Sequence, residues 1–307
     1  MIFAHFLILV MGFVLLVKGA DYFVEGAAGI ASKAGIPQLV VGLTIVAMGT
    51  SLPEAAVSIT ASVKGSNGIA IGNVVGSNIL NILIILGITS VLIAVPIRKS
   101  TLYYEIPFMI FITLLLLGIG FFKAKVSRAS GVIFWVLFIA YLVYLFFMAK
   151  KGNDEEEKCN DSLIKLVLFL VLGAAVVVLG SNLTVNAATE IAEFIGISDR
   201  IIGLTIVALG TSLPELVTSV VAAKKGNADI AIGNIVGSNI FNILFVLGTA
   251  ALIHPIPYSK DFIADGVFAV LAAIILLLAV IKDRTLKRPA GIIMLLTYGI
   301  YFIYLLM

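Results

Sequence analysis

Two glutamates are the side chains in this sequence most able to do chemistry. Each closes a near-identical block: residues 42–54 read GLTIVAMGTSLPE and residues 203–215 read GLTIVALGTSLPE, alike at 12 of 13 positions. Glu54 and Glu215 thus stand in the middle of long apolar stretches, where an ionisable group marks a functional site by default because something must balance it. No basic side chain nearby does so. The stretches 37–62, 69–95 and 230–253 contain no Lys or Arg, and 198–223 has only Arg200 at its end. Two carboxylates without a protein counter-charge hold either protons or cations.

Their neighbours are oxygen donors. Thr50, Glu54 and Ser58 recur every four residues and share a helical face, as do Thr211, Glu215 and Ser219. Pro53 and Pro214 cannot donate a backbone hydrogen bond, which frees the carbonyls of Gly49 and Gly210 in a regular helix. A break there would also expose the carbonyls of Ala47, Thr50, Ala208 and Thr211, and such irregular backbone is tolerated in a membrane where it lines a cavity. A second pair of blocks follows, GNVVGSNILNI at 72–82 and GNIVGSNIFNI at 233–243, with Asn73, Ser77 and Asn81 matched by Asn234, Ser238 and Asn242. Gly72/Gly76 and Gly233/Gly237 are small-xxx-small pairs that let helices approach closely. Hydroxyls, amide and backbone carbonyls and two carboxylates make an all-oxygen site suited to a hard cation, above all calcium with its six to eight flexible ligands. No thiolate or imidazole serves a transition metal: Cys159 is the sole cysteine, and His5 and His254 lie at span ends as interfacial residues. The rival readings are structural: protonated glutamates bonded between helices, a plain proline kink, and amides that only join helices.

The elements that must position these residues are membrane spans. Of the 307 residues, 61% are apolar and only 12% charged, which excludes a water-soluble enzyme. A net charge of +3 with no concentrated basic patch excludes nucleic acid as a partner. Apolar stretches long enough to span fall near 2–25, 37–62, 69–95, 102–122 and 130–149, then 162–190, 198–223, 230–253, 262–281 and 289–306. The first has no basic start and has an equivalent in the second half, so it is read as a retained span. With the N-terminus outside, the inside connections hold 13 Lys and Arg and the outside ones six, which places both termini on the extracytoplasmic side. Asp21 and Glu25, late in the first span, are read as snorkelling to the interface, with a role in ion access as the rival.

Both pairs of blocks share one offset, 161 residues, which also pairs Gly12 with Gly173, Gly19 with Gly180 and Gly35 with Gly196. The chain is therefore a duplicated five-span unit: 1–149, a charged cytoplasmic linker at 150–161, and 162–307. Five crossings are odd, so equivalent positions face opposite sides and the expected fold is all-α, ten spans in two inverted five-helix repeats. Secondary transporters built this way hold their ions near mid-membrane at the repeat interface. One calcium or two sodium ions would neutralise the pair of carboxylates, and competition for shared ligands would couple their movements.

The paired GTSLPE and GNxxGSNxxN blocks resemble the two alpha repeats of the sodium/calcium exchanger family, within the calcium:cation antiporter superfamily, and the resemblance extends over nearly the whole chain. It implies that Glu54 and Glu215 are the principal calcium ligands, helped by Thr50 and Thr211. It also implies sodium sites at Ala47, Thr50, Ser51 and Ser77 on one side and Ala208, Thr211, Ser212 and Ser238 on the other, with Asn81 and Asn242 lining the centre. Several sodium ions would move per calcium while the first and sixth spans slide over the core. One departure is Asn242, where some relatives, including the potassium-dependent members, carry Asp; this lowers the central charge and speaks against potassium co-transport. The large regulatory domain of animal exchangers has no room in the linker.

The expected function is thus sodium/calcium antiport in a multi-pass protein of the cell membrane, not an enzyme. Calcium, sodium and the lipid bilayer are its partners, and neither a cofactor nor a protein partner is expected. Two alternatives use the same residues. A proton-coupled calcium exchanger would employ both carboxylates as proton carriers, and a passive cation channel would conduct without counter-transport. Acid is expected to inhibit in either exchanger.

Overall fold

The computed structural model describes residues 2–65, 67–151, 159–194 and 208–306. The chain is helical, as the apolar stretches predict. In order come α1 (Ile2–Ala34), α2 (Gln38–Thr50), α3 (Leu52–Val63), α4 (Gly68–Leu92), α5 (Thr101–Lys123) and α6 (Arg128–Lys151). After the linker follow α7 (Leu163–Phe194), α8 (Ala208–Thr211), α9 (Leu213–Lys224), α10 (Ala228–Ile253), α11 (Asp261–Val280) and α12 (Arg288–Leu306). Among the described residues eight helices are long and apolar enough to cross a membrane, nine if α2 and α3, which meet at 52°, form one broken span. The remaining expected span, 198–223, begins at positions outside the described residues, of which α8 and α9 are the described part.

Two boundaries differ from the sequence reading. The first helix does not stop near residue 25 but continues through Asp21 and Glu25 to Ala34. Lys225 explains this, because its Nζ lies 3.4 Å from Asp21 Oδ1 and 3.7 Å from Glu25 Oε2 and donates to Asp21 O at 2.8 Å. The acids that looked like a water-facing end are paired with a neighbouring element. The third span ends at Leu92 rather than 95, because Val95–Pro96 (β1) is extended. Among the described residues four such two-residue strands occur, the others being Lys125–Val126 (β2), Ile256–Pro257 (β3) and Thr285–Leu286 (β4). β1 pairs antiparallel with β4, and β2 with β3. These small ladders stitch loops of one half to loops of the other.

α10 is the most enclosed span, with 94% of its apolar window buried, and α4 follows at 72%. They form the axis of the main core, to which α5, α6, α11 and α12 add Ile106, Phe134, Leu276 and Met294. A second apolar cluster centred on Leu16, Phe23, Val46 and Val177 joins α1 and α7 to α2. α1 and α7 run antiparallel along a glycine seam. A Cβ on Gly12 would lie 3.0 Å from Gly180 O, and one on Gly173 would lie 2.9 Å from Gly19 O. Only bare backbones fit there. The outer faces carry exposed Phe, Leu, Val and Ile side chains throughout, such as Val14, Phe122, Val136 and Leu296, as a lipid-facing surface requires.

Candidate cation site

The break between α2 and α3 falls at Ser51, whose φ and ψ of −85° and 9° leave the helical region, and Pro53 sits in the first turn of α3, where its missing N–H is harmless. The corresponding junction at Ser212 has φ and ψ of −90° and 4°, with Pro214 in the same place. Each break puts the glutamate in the first turn of the second helix, and both glutamates are 1% exposed.

Hydrogen bonds across the halves hold them. Ser51 Oγ donates to Glu215 Oε1 at 2.8 Å, and Ser212 Oγ donates to Glu54 Oε1 at 3.2 Å. The hydroxyls of Thr211 and Thr50 also lie close to Glu54 and Glu215 respectively. Asn73 Nδ2 donates to Ser58 Oγ at 2.8 Å and to Glu54 O at 3.2 Å, while Asn234 Nδ2 donates to Ser219 Oγ at 2.9 Å and to Glu215 O at 3.4 Å. Contacts at one residue thus recur 161 positions later.

Four asparagines form a hydrogen-bonded network between α4 and α10. Asn78 Nδ2 donates to Asn239 O at 3.1 Å, and Asn239 Nδ2 returns to Asn78 O at 3.3 Å. Asn81 Nδ2 donates to Asn239 Oδ1 at 2.9 Å, and Asn242 Nδ2 donates to Asn78 Oδ1 at 3.1 Å. These bonds set which way each amide faces and engage every Nδ2. A wide π-turn begins at Asn81 in α4 and at Asn242 in α10, a local irregularity common at functional sites. The π-turn from Asn81 packs against α9, which carries Glu215, and that from Asn242 packs against α3, which carries Glu54.

Of the nine buried side-chain oxygens left without a hydrogen-bond partner among the described residues, four belong to the expected site residues: Glu54 Oε2, Glu215 Oε2, Asn81 Oδ1 and Asn242 Oδ1. They come two from each half, at equivalent positions. Buried acceptors of this kind demand a donor or a cation. Among the described residues no cluster of three or more His, Cys, Asp or Glu competes for a metal.

The other expected residues are arranged less evenly. Ala47 O accepts from Ser238 Oγ at 3.3 Å as well as from Ser51 N at 3.0 Å, so this carbonyl is already engaged. Thr50 is buried, its Oγ1 lying 2.9 Å from Asn234 Oδ1, whereas Thr211 is partly exposed. Ser77 is buried in α4, and Ala208 begins α8. Of the carbonyls freed by proline, that of Gly210 accepts from Ser181 Oγ on α7 at 2.8 Å. The matching position on α1 is Ala20, which has no hydroxyl. A cavity of about 520 Å³ between α3 and α7 reaches Pro53, Gly210 and Thr211. The close approach expected of the small-residue pairs is seen on α10, where a Cβ on Gly237 would lie 2.7 Å from Leu43 O and 2.8 Å from Ala47 Cβ. The equivalent partners of Gly72 and Gly76, 203–207, lie outside the described residues.

Sequence reasoning missed Asn78 and Asn239, although both stand in the repeated GSN triplet, because they lie one residue off the four-residue row. It also missed the Ser181 cap and the buried Glu105 on α5, four residues into its span.

Residues 4–147 and 165–307 match the family described as sodium/calcium exchanger protein. The chain is 35% identical to the sodium/calcium exchanger MaX1 of Methanosarcina acetivorans, with 99% of each chain covered. It is 36% identical to the inner membrane protein YrbG of Escherichia coli, covering 95% of this chain and 93% of that one. Among solved structures, the sodium-calcium exchanger NCX_Mj soaked with zero Na+ and Ca2+ superposes with a TM-score of 0.87 at 32% identity, over 99% of this chain and 100% of that one. This chain is a multi-pass integral membrane protein and belongs to the sodium/calcium exchanger family.

Proposed function

We propose that the protein exchanges sodium for calcium by alternating access, with the ions held between the halves by Glu54 and Glu215. The observation that carries this reading is the set of four orphaned buried oxygens on Glu54, Glu215, Asn81 and Asn242. Such a set fits a hard cation that takes many oxygen ligands. Thr50 and Thr211 complete the calcium shell. Weaker sodium sites use Ala47, Thr50, Ser51 and Ser77 on one side and Ala208, Thr211, Ser212 and Ser238 on the other. Ser51 and Ser212 donate to the carboxylates. A cation arriving at the carboxylates turns those hydroxyls, so that they present oxygen instead of hydrogen. The empty, doubly negative site is costly to move through an apolar barrier and the neutralised one is not, which couples the two fluxes.

The topology reading has its own support. Paired strands lie on one face of the membrane, so an even number of spans separates them. Between β1 and β4 stand five long spans, α5, α6, α7, α10 and α11, and between β2 and β3 stand three. Both counts become even if 195–224 crosses once. That gives ten spans, which fits two inverted repeats, 1–149 and 162–307, and the excess of Lys and Arg in the inside connections supports a 150–161 linker on the cytoplasmic side with both termini outside. The opening beside Thr211, against the buried Thr50, fits one state of an alternating cycle.

The test is calcium-45 uptake by proteoliposomes under imposed sodium, proton or potassium gradients, one at a time. An outward sodium gradient is expected to drive uptake, and acid to inhibit it because protons and cations compete for the same carboxylates. Uptake driven by a pH gradient and indifferent to sodium would establish proton coupling instead. Glu54→Gln and Glu215→Gln are each expected to abolish sodium-driven uptake with elution and thermal stability retained; wild-type-like flux in either variant defeats the site assignment.

A further inference from the structure

A third buried carboxylate lies outside the cation site. Glu105 is 1% exposed, in the π-turn that opens α5. Its Oε1 accepts a hydrogen bond from Tyr144 on α6, while its Oε2 has no partner among the described residues. The hydroxyl of Tyr141, one turn earlier on α6, is likewise buried and unpartnered. Both residues line a cavity of about 310 Å³ whose other walls include Tyr103, Tyr104 and Phe108. The rings are ordered in pairs: Phe108 stacks on Tyr141 with centroids 5.7 Å apart, and Tyr104 faces Tyr144 at 6.3 Å. Tyr103 and Tyr104 are 64% and 63% exposed on the outer side, and are the walls that yield to admit a guest.

The chemistry of the guest follows from these walls. One carboxylate asks for one positive charge, and π-faces add attraction for a cation. A divalent metal is a poor fit, since it would need several oxygen ligands and a single carboxylate is present. The free Glu105 Oε2 and the Tyr141 hydroxyl oxygen can both accept N–H hydrogen bonds, which a primary ammonium donates and a quaternary one cannot. Depth selects the rest. Glu105 sits roughly 6 Å inside the start of α5 at 1.5 Å per residue. The same end of the α5–α6 hairpin carries Lys99, Lys150 and Lys151, which suit an anionic group above the ammonium. We propose that this cavity binds the primary ammonium of an amphiphile at the membrane interface, with Glu105 and Tyr141 as acceptors and the tyrosine and phenylalanine rings as its cage. The headgroup amine of an ethanolamine phospholipid and a free long-chain amine share this chemistry.

The experiment uses the full-length protein, stripped of lipid in a neutral maltoside detergent. Decylamine is expected to raise Tm at concentrations where decanol does not, and to bind about tenfold or more tightly than decyltrimethylammonium, the margin of a charge-assisted hydrogen bond. Glu105→Gln is expected to weaken decylamine binding by about tenfold or more while leaving sodium-driven calcium uptake intact, which separates this site from the exchange reading. Should that variant fail to fold, Tyr141→Phe is expected to weaken binding several-fold, and the comparison of amine with alcohol decides on the wild type alone. Native mass spectrometry then assigns the source. Retention of dioleoylphosphatidylethanolamine over the glycerol headgroup identifies a lipid guest, and decylamine binding without such retention identifies a free amine. Equal binding of decanol and decylamine, or undiminished binding in Glu105→Gln, overturns the proposal.

Discussion

At the residue scale, the asparagines determine what the carboxylates are offered. Because Asn78 and Asn239 absorb the amide hydrogens of Asn242 and Asn81, the oxygens of those two side chains remain free. Asn239→Ala is therefore expected to strand the Asn81 amide and destabilise the protein by about 1–3 kcal/mol. Thermal unfolding in detergent measures this, and a loss below the error of the measurement would show the asparagine network to be dispensable. Glu54 and Glu215 were legible because an ionisable group in an apolar run has few explanations. Asn78 and Asn239 were not, since a step of one residue turns a side chain about 100° around its helix, and only the placement of α4 beside α10 brings the two together. Glu105 was hidden for another reason: so near a span end it reads as interfacial, and Tyr144, which covers it, comes from the next helix.

Among the elements, the close seam between α2 and α10 positions both halves of the cation site. A Cβ on Gly237 would sit against Leu43 O and Ala47 Cβ. Gly237→Ala is expected to cost about 1–3 kcal/mol by overpacking. On α12 a Cβ at Gly299 meets nothing within 4 Å, so Gly299→Ala serves as the neutral control in the same assay. α1 is joined to the end of α9 through Lys225, and the pair is partly exposed. Lys225→Gln is accordingly expected to cost no more than about 1 kcal/mol. A much larger drop in Tm would mean that the contact is a principal anchor of α1. The apolar stretches located these helices well. Their ends were misread where charge was neutralised from a distant element, as at Asp21 and Glu25, and where Val95–Pro96 trades helix for a strand partner in the other half, whereas the end at Ile253, just before Ile256–Pro257, was placed correctly.

For the whole molecule, the governing feature is reciprocity. Ser51 reaches Glu215 as Ser212 reaches Glu54, Asn78 reaches Asn239 as the reverse, and β1 meets β4 as β3 meets β2. The constant offset made this duplication readable, but not which elements would interlock, because sequence alone leaves the choice of partner open. Two polypeptides ending and beginning within 150–161, expressed together, are expected to co-purify and to carry sodium-driven calcium flux. Failure to associate would mean that the linker itself holds the halves. The crossed strand pairs also impose a timetable on biogenesis. Val95–Pro96 leaves the ribosome early and finds its mate only when Thr285–Leu286 has followed. Until then the nascent first half stays open along that edge, and quality-control machinery has the whole of translation in which to notice it.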